Sequence, residues 1–490
     1  MNLPCVPLFL WLLMREEGIL TLHLIDDNDN NCCSVNTGSR HGSIGNRKRE
    51  RQGRTPVAWL PTEPAGREHP RHNISKRSIM NKAVLLFCLL QVLLSAADDH
   101  YCQSTLPVFT PTPGYRLEFV QTVTRHGART PIYLVPPVEQ PLVEWNCKLH
   151  ELVKPSQQDH SVRYDTTKRL FRKVYRDGVE TLKGNCNFGQ LTDVGYSQHL
   201  ELGQALRKVY ADGFNLFGPQ PKLSQIRVRS TDVYRTLQSA QAGLTGMFPE
   251  HTSIRGVETL LVETTDNSLE DMTPNSAVCP PLQTEMNRLH ASKEWTDQQE
   301  KTRNLTETLQ KAFGVSTLPP WDGLYDIYQL RRCANLPVPK EITEDLFQQI
   351  RLAAEWEVNV TAYDPAVGRY GMGTFLNLIK ENIQNYVKNG TSEVKYLLYS
   401  GHDSTVAPLL GLLNIYDGLW PPFRAYVNFE LYSRDGEHFV QVKYNGKEMK
   451  LPACEKVMCP VKTVLAFFQE RVVTPQQCGR VQPAVYARRA

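Results

Sequence analysis

The stretch FVQTVTRHGARTP, residues 119–131, changes character halfway along. Its first part, Phe119 to Thr124, is built from Phe, Val, Gln and Thr, a mix that suits a pleated and buried backbone. Its second part brings Arg125, His126, Gly127 and Arg129 together, and Pro131 stiffens the exit. Positive charge is thus collected where a strand stops. Two later stretches follow the same plan. QIRVRSTDVYRTLQSAQAGLTGMF, residues 225–248, reads as a short strand, then Ser230 and Thr231 as capping residues, then a helix with Val233, Leu237, Ala240, Leu244 and Met247 on one face. VKYLLYSGHDSTVAPLLGLL, residues 394–413, is again a strand, a polar turn and an apolar helix. Repeated strand-to-helix units predict an α/β fold with a mostly parallel sheet flanked by helices, in which ligands bind outside the carboxyl ends of the strands. Helix N-termini at those ends offer unpaired N–H groups and partial positive charge, so an anion is the expected guest.

Working outward, GQLTDVGYSQHLELGQALRKVY predicts a helix from about Thr192 that leads into the second strand. The first part of the α/β core is expected over 98–247. Residues 248–370 differ: polar helical runs with scattered Trp295, Trp321, Tyr325 and Trp356 predict a smaller, mainly helical lobe inserted in the core. The core resumes over 371–479 with the amphipathic GTFLNLIKENIQNYV and ends in β-rich segments near YVNFELYS and HFVQVKYNG; 480–490 is a tail.

The length of 490 residues allows two or three domains. Charged residues at 22% and a net charge of +4 are ordinary, and no basic stripe follows the first 80 residues, so nucleic acid is not an expected partner. Lys76 and Arg77 precede an apolar run from Ala83 to Leu94 and small residues at Ser95, Ala96 and Ala97. This order reads as a secretory leader at 80–97, with translation starting at Met80 and 1–79 either disordered or an extension of the gene model. A retained signal anchor is the alternative, against which stands a run shorter than the ~20 residues of a spanning helix. No other membrane anchor is expected. Of 12 cysteines, eight follow the leader, an even set that suggests disulfides in an exported chain. Cys454 and Cys459 read either as a small disulfide loop or as half of a zinc site; no second pair at ligand spacing follows, which favours the loop. Asn304, Asn359 and Asn389 stand in sequons and are the glycosylation candidates.

The chemistry is expected at the strand ends. Guanidinium forks match phosphate oxygens and stay charged when crowded, which makes Arg125 and Arg129 phosphate ligands. Gly127 lets the backbone approach a ligand closely. Two arginines beside His126 lower its pKa by like-charge repulsion, leaving a lone pair free for nucleophilic attack in mild acid. Arg229, at the second strand end, is either a third clamp or a surface arginine paired with Asp232. His402 suits phosphate binding, and Asp403 could protonate a departing alkoxide. His199, His290 and His438 read as packing or surface residues. No Asp/Glu/His cluster stands at metal-ligand spacing, so neither a metal nor another cofactor is expected.

RHGARTP with the late GHD resembles the histidine acid phosphatase family, the branch with an Arg-His-Gly-x-Arg-x-Pro signature. GQLTDVG, VRSTDVYRT and LWPPF resemble that family's non-catalytic landmarks, and PLVEWN, ETLKGN and FVQVKYNGKE are most similar to its lysophosphatidic acid phosphatase group. The resemblance implies a phosphoglycerate-mutase-like core, a phosphohistidine on His126, and proton donation by Asp403. It further implies phosphate binding by Arg125, Arg129, Arg229 and His402, and bridges Cys279–Cys478 and Cys454–Cys459; the pairing of Cys102, Cys147, Cys186 and Cys333 stays open. The expectation is an acid phosphatase of the secretory pathway or lysosomal lumen acting on phosphate monoesters, lysophospholipids among the candidates. A catalytically silent phosphate-binding ectodomain and a mutase-like phosphotransferase are the rivals.

Overall fold

A computed structural model of the chain describes residues 101–147, 181–219, 221–249, 260–390 and 393–479. The expected extension, leader and tail, and the four cysteines up to Cys88, lie outside them. In chain order the elements are β1 (Arg116–Arg125), α1 (Asp193–Leu206), β2 (Ile226–Ser230), α2 (Tyr234–Met247) and β3 (Val262–Glu263). Five helices of the lobe follow: α3 (Pro281–His290), α4 (Lys293–Lys301), α5 (Arg303–Phe313), α6 (Trp321–Cys333) and α7 (Glu344–Tyr363). The core resumes with α8 (Pro365–Asn389), β4 (Tyr396–Gly401), α9 (Asp403–Leu412) and β5 (Tyr426–Arg434). It ends with β6 (Glu437–Tyr444), β7 (Lys447–Met449), β8 (Cys459–Pro460) and α10 (Val461–Gln469).

The sheet runs β3-β2-β4-β1-β5-β6-β7, with β8 paired to β6. The four strands from β3 to β1 are parallel, and β5 to β8 extend the sheet with antiparallel pairings. Both faces are covered, which is why β1 and β4 are almost uniformly buried rather than alternating. Val120, Val228 and Leu398 pack towards α1 and α2 with Leu202, Leu206 and Met247. Val123, Leu397 and Phe429 pack on the opposite side with Phe375, Ile379 and Leu410. Thr192 caps α1, its hydroxyl accepting from Gly195 N at 3.2 Å, as its position predicts. Ser230 and Thr231 do not cap α2: that helix starts later, at Tyr234, without a side-chain cap, and the Thr231 hydroxyl is engaged elsewhere.

The hydrophobic cluster of the lobe, with Leu309, Leu324, Tyr325 and Phe347, takes in residues from outside 248–370. Tyr101, Trp145 and Leu182 join it from before that span, and Trp420 and Phe423 from after it. Four disulfides close the fold: Cys279–Cys478 and Cys454–Cys459, together with Cys102–Cys333 and Cys147–Cys186. Asn304 and Asn389 are exposed. Asn359, on α7, is half-buried; its amide donates to Gly418 O at 3.0 Å and its Oδ1 is buried.

Candidate active site

β1 ends between β4 and β5, and this placement makes the loop after it rigid. Arg125 N–H donates to Ala425 O (2.8 Å) and His126 N–H to Gly401 O (3.0 Å). Gly127 then passes so close to the first turn of α1 that a Cβ there would stand 2.2 Å from Gly195 O. The close approach of the helix by itself requires a residue without a side chain here. His199 of α1 is fully packed, and its Nε2–H donates to Arg125 O at 2.9 Å. It thereby pins the same loop from below.

The tautomer of His126 follows from one bond. Its Nδ1 lies 2.8 Å from Gly127 O, a group that can only accept, so Nδ1 carries the proton and Nε2 keeps its lone pair. Burial, followed by the charges of Arg235, Arg125 and Arg129, holds the ring well below the usual histidine range. Desolvation is therefore the first cause, ahead of the like-charge repulsion expected from the sequence.

Three guanidinium groups surround this imidazole. Arg125 is fully buried: it donates to Tyr101 Oη (3.1 Å) and Pro421 O, pairs with Asp403 Oδ2 at 2.9 Å, and stacks under Phe423 at 4.2 Å. Arg129 Nη2 donates to both carboxylate oxygens of Asp326 on α6, each at 3.1 Å. Arg235, in the first turn of α2, reaches His402 Nδ1 at 3.4 Å. Burial and the neighbouring Arg129 lower its pKa to about 10. In all three arginines Nε is buried with no partner. Buried donors gathered in one place fit an anionic ligand.

Arg229 is not among them. Its guanidinium is held by Glu270 (2.8 Å) and Asp271 (2.6 Å), so it is neither the expected third clamp nor a partner of Asp232. The reason is the period of the strand. Ile226, Val228 and Ser230 are buried on one side of β2, and Arg229 points to the other. Arg235, inside a stretch read as a non-catalytic landmark, occupies the place instead.

His402 stands where expected. Its ring centre is 5.4 Å from that of His126, and burial, then Arg235, lowers its pKa to about 3. Its Nε2 meets Thr231 Oγ1 at 2.9 Å. Asp403 is the first residue of α9, with Oδ2 accepting from Trp420 Nε1 at 3.0 Å. Burial raises its pKa, but Arg125 and Arg129 outweigh that and hold it well below the usual carboxylate range. Tyr101, whose hydroxyl donates to Asp326 Oδ1 at 2.7 Å, completes a closed loop from Arg125 through Tyr101 and Asp326 to Arg129. Tyr101, Asp326, Thr231 and Arg235 were not legible as site residues. Arg235 alone left a signal, a cation in a helix first turn where the dipole disfavours it. Among the described residues no group of three or more His, Cys, Asp or Glu could hold a metal ion.

Counting factor 60 of Dictyostelium discoideum is 38% identical over 395 residues, covering 79% of this chain and 93% of its own. Lysophosphatidic acid phosphatase type 6 of Homo sapiens is 28% identical over 422 residues (81% and 94%), and prostatic acid phosphatase of Bos taurus 30% over 324 (60% and 81%). Among solved structures, the phytase from Citrobacter braakii superposes with a TM-score of 0.51 at 19% identity, covering 74% of this chain and 99% of the phytase, a likeness of fold. Residues 116–445, which hold β1, the RHG loop, α2 and the GHD turn, match the family described as Histidine phosphatase superfamily (branch 2), and the chain belongs to it.

Proposed function

We propose that the protein hydrolyses phosphate monoesters in acid through a covalent phosphohistidine on His126. The observation that carries this is a neutral imidazole with Nε2 open, set among three guanidinium groups whose buried Nε atoms lack partners. Arg125, Arg129 and Arg235 with His402 would bind the phosphoryl oxygens and offset the charge that spreads over them in the transition state. In the first step a bond forms from His126 Nε2 to phosphorus while the ester oxygen departs with a proton from Asp403. In the second, Asp403 takes a proton from water as its oxygen attacks phosphorus, the P–N bond breaks, and inorganic phosphate leaves. A bound dianion engages the Arg125 fork and adds like charge beside the carboxylate, which raises the Asp403 pKa towards the range where it can carry the proton it donates.

Ile132 lies beside the cradle: a Cβ on Gly189 would stand 3.1 Å from Arg235 Nη1 and 3.3 Å from Ile132 Cγ2. Ile132 and Tyr133 follow the signature directly and are 45% and 38% exposed. This apolar rim favours an amphiphilic ester, and similarity to lysophosphatidic acid phosphatase type 6 supports lysophospholipid among the substrates. Four disulfides and the exposed sequons at Asn304 and Asn389 support an oxidising, secretory or lysosomal location. Among the described residues no helix is long and apolar enough to cross a membrane.

The test is turnover of p-nitrophenyl phosphate near pH 5 by wild type and two variants. His126→Ala should lose at least a thousandfold, and rapid quenching with labelled substrate should trap phosphate on wild-type His126. Asp403→Asn should slow alkyl phosphates far more than the aryl ester, whose phenolate leaves without a proton. Phosphate binding without turnover in wild type would overturn the enzyme reading in favour of a silent binding protein.

A further inference from the structure

We propose that Thr231 is a positioning residue whose hydroxyl lets His402 change the ring nitrogen that carries its proton, facing a lone pair towards Arg235 when the site is empty and an N–H towards phosphate when it is filled. The inference rests on the phosphate-site reading and concerns how that site adapts to its ligand.

Thr236 aims the single proton of its hydroxyl at two carbonyls, Val233 O at 2.7 Å and Thr231 O at 3.0 Å. It is therefore an acceptor towards Thr231, whose Oγ1 lies 2.9 Å away. Thr231 Oγ1 also lies 2.9 Å from His402 Nε2, and His402 Nδ1 lies 3.4 Å from Arg235 Nη2. A guanidinium has no acceptor, so Nδ1 must accept from Arg235 and a neutral ring then carries its proton on Nε2. The chain has one direction: Arg235 to His402, His402 to Thr231, Thr231 to Thr236, Thr236 to a carbonyl.

A phosphate oxygen at Nδ1 reverses the demand, because it is an acceptor and requires N–H there. Burial keeps the ring from simply gaining a second proton. One proton is taken up on Nδ1 and one is released from Nε2 to solvent, so the charge of the ring does not change. Nε2 becomes an acceptor, and the Thr231 hydroxyl turns its proton from Thr236 to Nε2. Thr236 gives up the bond it accepted from Thr231 but keeps its own donation to Val233 O, so every buried donor still has an acceptor. A hydroxyl is suited to this place because it can donate or accept at the same distance; a carbonyl or an ammonium could do only one. The backbone around the ring stays fixed throughout: His402 N–H donates to Thr405 Oγ1 at 3.0 Å, and Thr231 N–H to Ser400 O at 3.1 Å.

The experiment uses the full chain labelled with 15N-histidine and inorganic phosphate as the probe. His402 should show the Nε2–H tautomer without phosphate and the Nδ1–H tautomer at saturation. Thr231→Val keeps the shape and removes the hydroxyl; it should raise KM and the inhibition constant for phosphate about tenfold, with kcat changed less than threefold. Thr231→Ser should restore both constants to within about twofold, a rescue that a purely structural methyl contact would not give. An unchanged tautomer, a bound ring protonated on both nitrogens, or a Val variant that binds phosphate like wild type would overturn the proposal. If Thr231→Val does not fold, the two wild-type spectra decide. A wild-type protein that neither binds phosphate nor turns over esters overturns the underlying site reading instead.

Discussion

At the scale of residues, two arginines six positions apart, Arg229 and Arg235, have opposite fates. Arg229 sits in a strand, where period 2 decides which way it points, and the outward phase hands it to Glu270 and Asp271. Arg235 sits in the first turn of α2, over the carboxyl edge of the sheet, where a cation opposes the helix dipole. A residue kept against local electrostatics is one that a ligand satisfies. Arg235→Ala should cut kcat/KM about a hundredfold with an unchanged melting temperature. Arg229→Met should do the reverse, leaving kcat/KM within twofold while costing about 3 kcal/mol of stability through the carboxylates it strands. Steady-state kinetics beside thermal melts separates the two, and equal kinetic losses would return Arg229 to the site. His199 gives a different measurable. Burial lowers its pKa to about 4, against an ordinary value near 6.5 in the unfolded chain. Between those pH values the unfolded state binds the extra proton, so stability is intact above about pH 6.5 and is lost as pH falls towards 4, by about 1.4 kcal/mol per pH unit. Ligand-free His199→Gln, which can still donate to Arg125 O, should show a stability profile flatter by one proton across that window. A parallel profile would mean that His199 is protonated in the fold.

At the scale of elements, what could be read from the chain was what local pattern decides. Val120, Thr122, Val123 and Thr124 announce a strand, Thr192 announces the start of α1, and the Arg-His-Gly and Gly-His-Asp turns carry their chemistry in adjacent residues. Whereas the phase of β2 stands in its own alternation of Ile226, Arg227, Val228 and Arg229, the late start of α2 and the route of the Thr231 hydroxyl were not legible, because each is decided by a neighbour distant in sequence. Gly195 is an example of such a tertiary demand. A Cβ there would lie 2.1 Å from Ala128 O and 2.7 Å from Ala128 N, so the first turn of α1 and the signature loop touch backbone to backbone. Gly195→Ala must push α1 off the loop, at a cost of about 1–3 kcal/mol as overpacking. The displaced loop carries Arg129 and the carbonyl that fixes the His126 tautomer. Activity should therefore fall by more than tenfold at temperatures where the variant is still folded by circular dichroism. Normal activity in a folded Gly195→Ala protein would show that the loop holds its shape without the helix.

At the scale of the whole molecule, the site is assembled from both halves of the α/β core and from the lobe, and the lobe supplies a ligand to the cradle. Asp326 on α6 receives Arg129 and Tyr101 together, and Tyr101 precedes the first strand by some distance in sequence. The contact that keeps these parts in register is Cys102–Cys333, next to Tyr101 at one end and closing α6 at the other, across a sequence separation of 231. Cys454–Cys459, by contrast, spans only 5 residues beside β8 and touches none of the groups around His126. Loop-closure entropy makes the long bridge the more stabilising of the two, and removing it should cost about 2–5 kcal/mol. Its effect on the site should exceed its effect on stability. Once α6 and the segment before β1 are untied, Tyr101 no longer bridges Arg125 to Asp326, and the unpartnered guanidinium of Arg129 is free to leave the cradle. Cys102→Ser with Cys333→Ser should raise KM for a phosphate monoester at least tenfold under conditions where melting shows the protein more than 95% folded. Cys454→Ser with Cys459→Ser should lower the melting temperature slightly and leave KM unchanged. Equal kinetic behaviour of the two double variants would show that the loop of Arg125, Tyr101, Asp326 and Arg129 is held by the lobe's own packing rather than by the bridge.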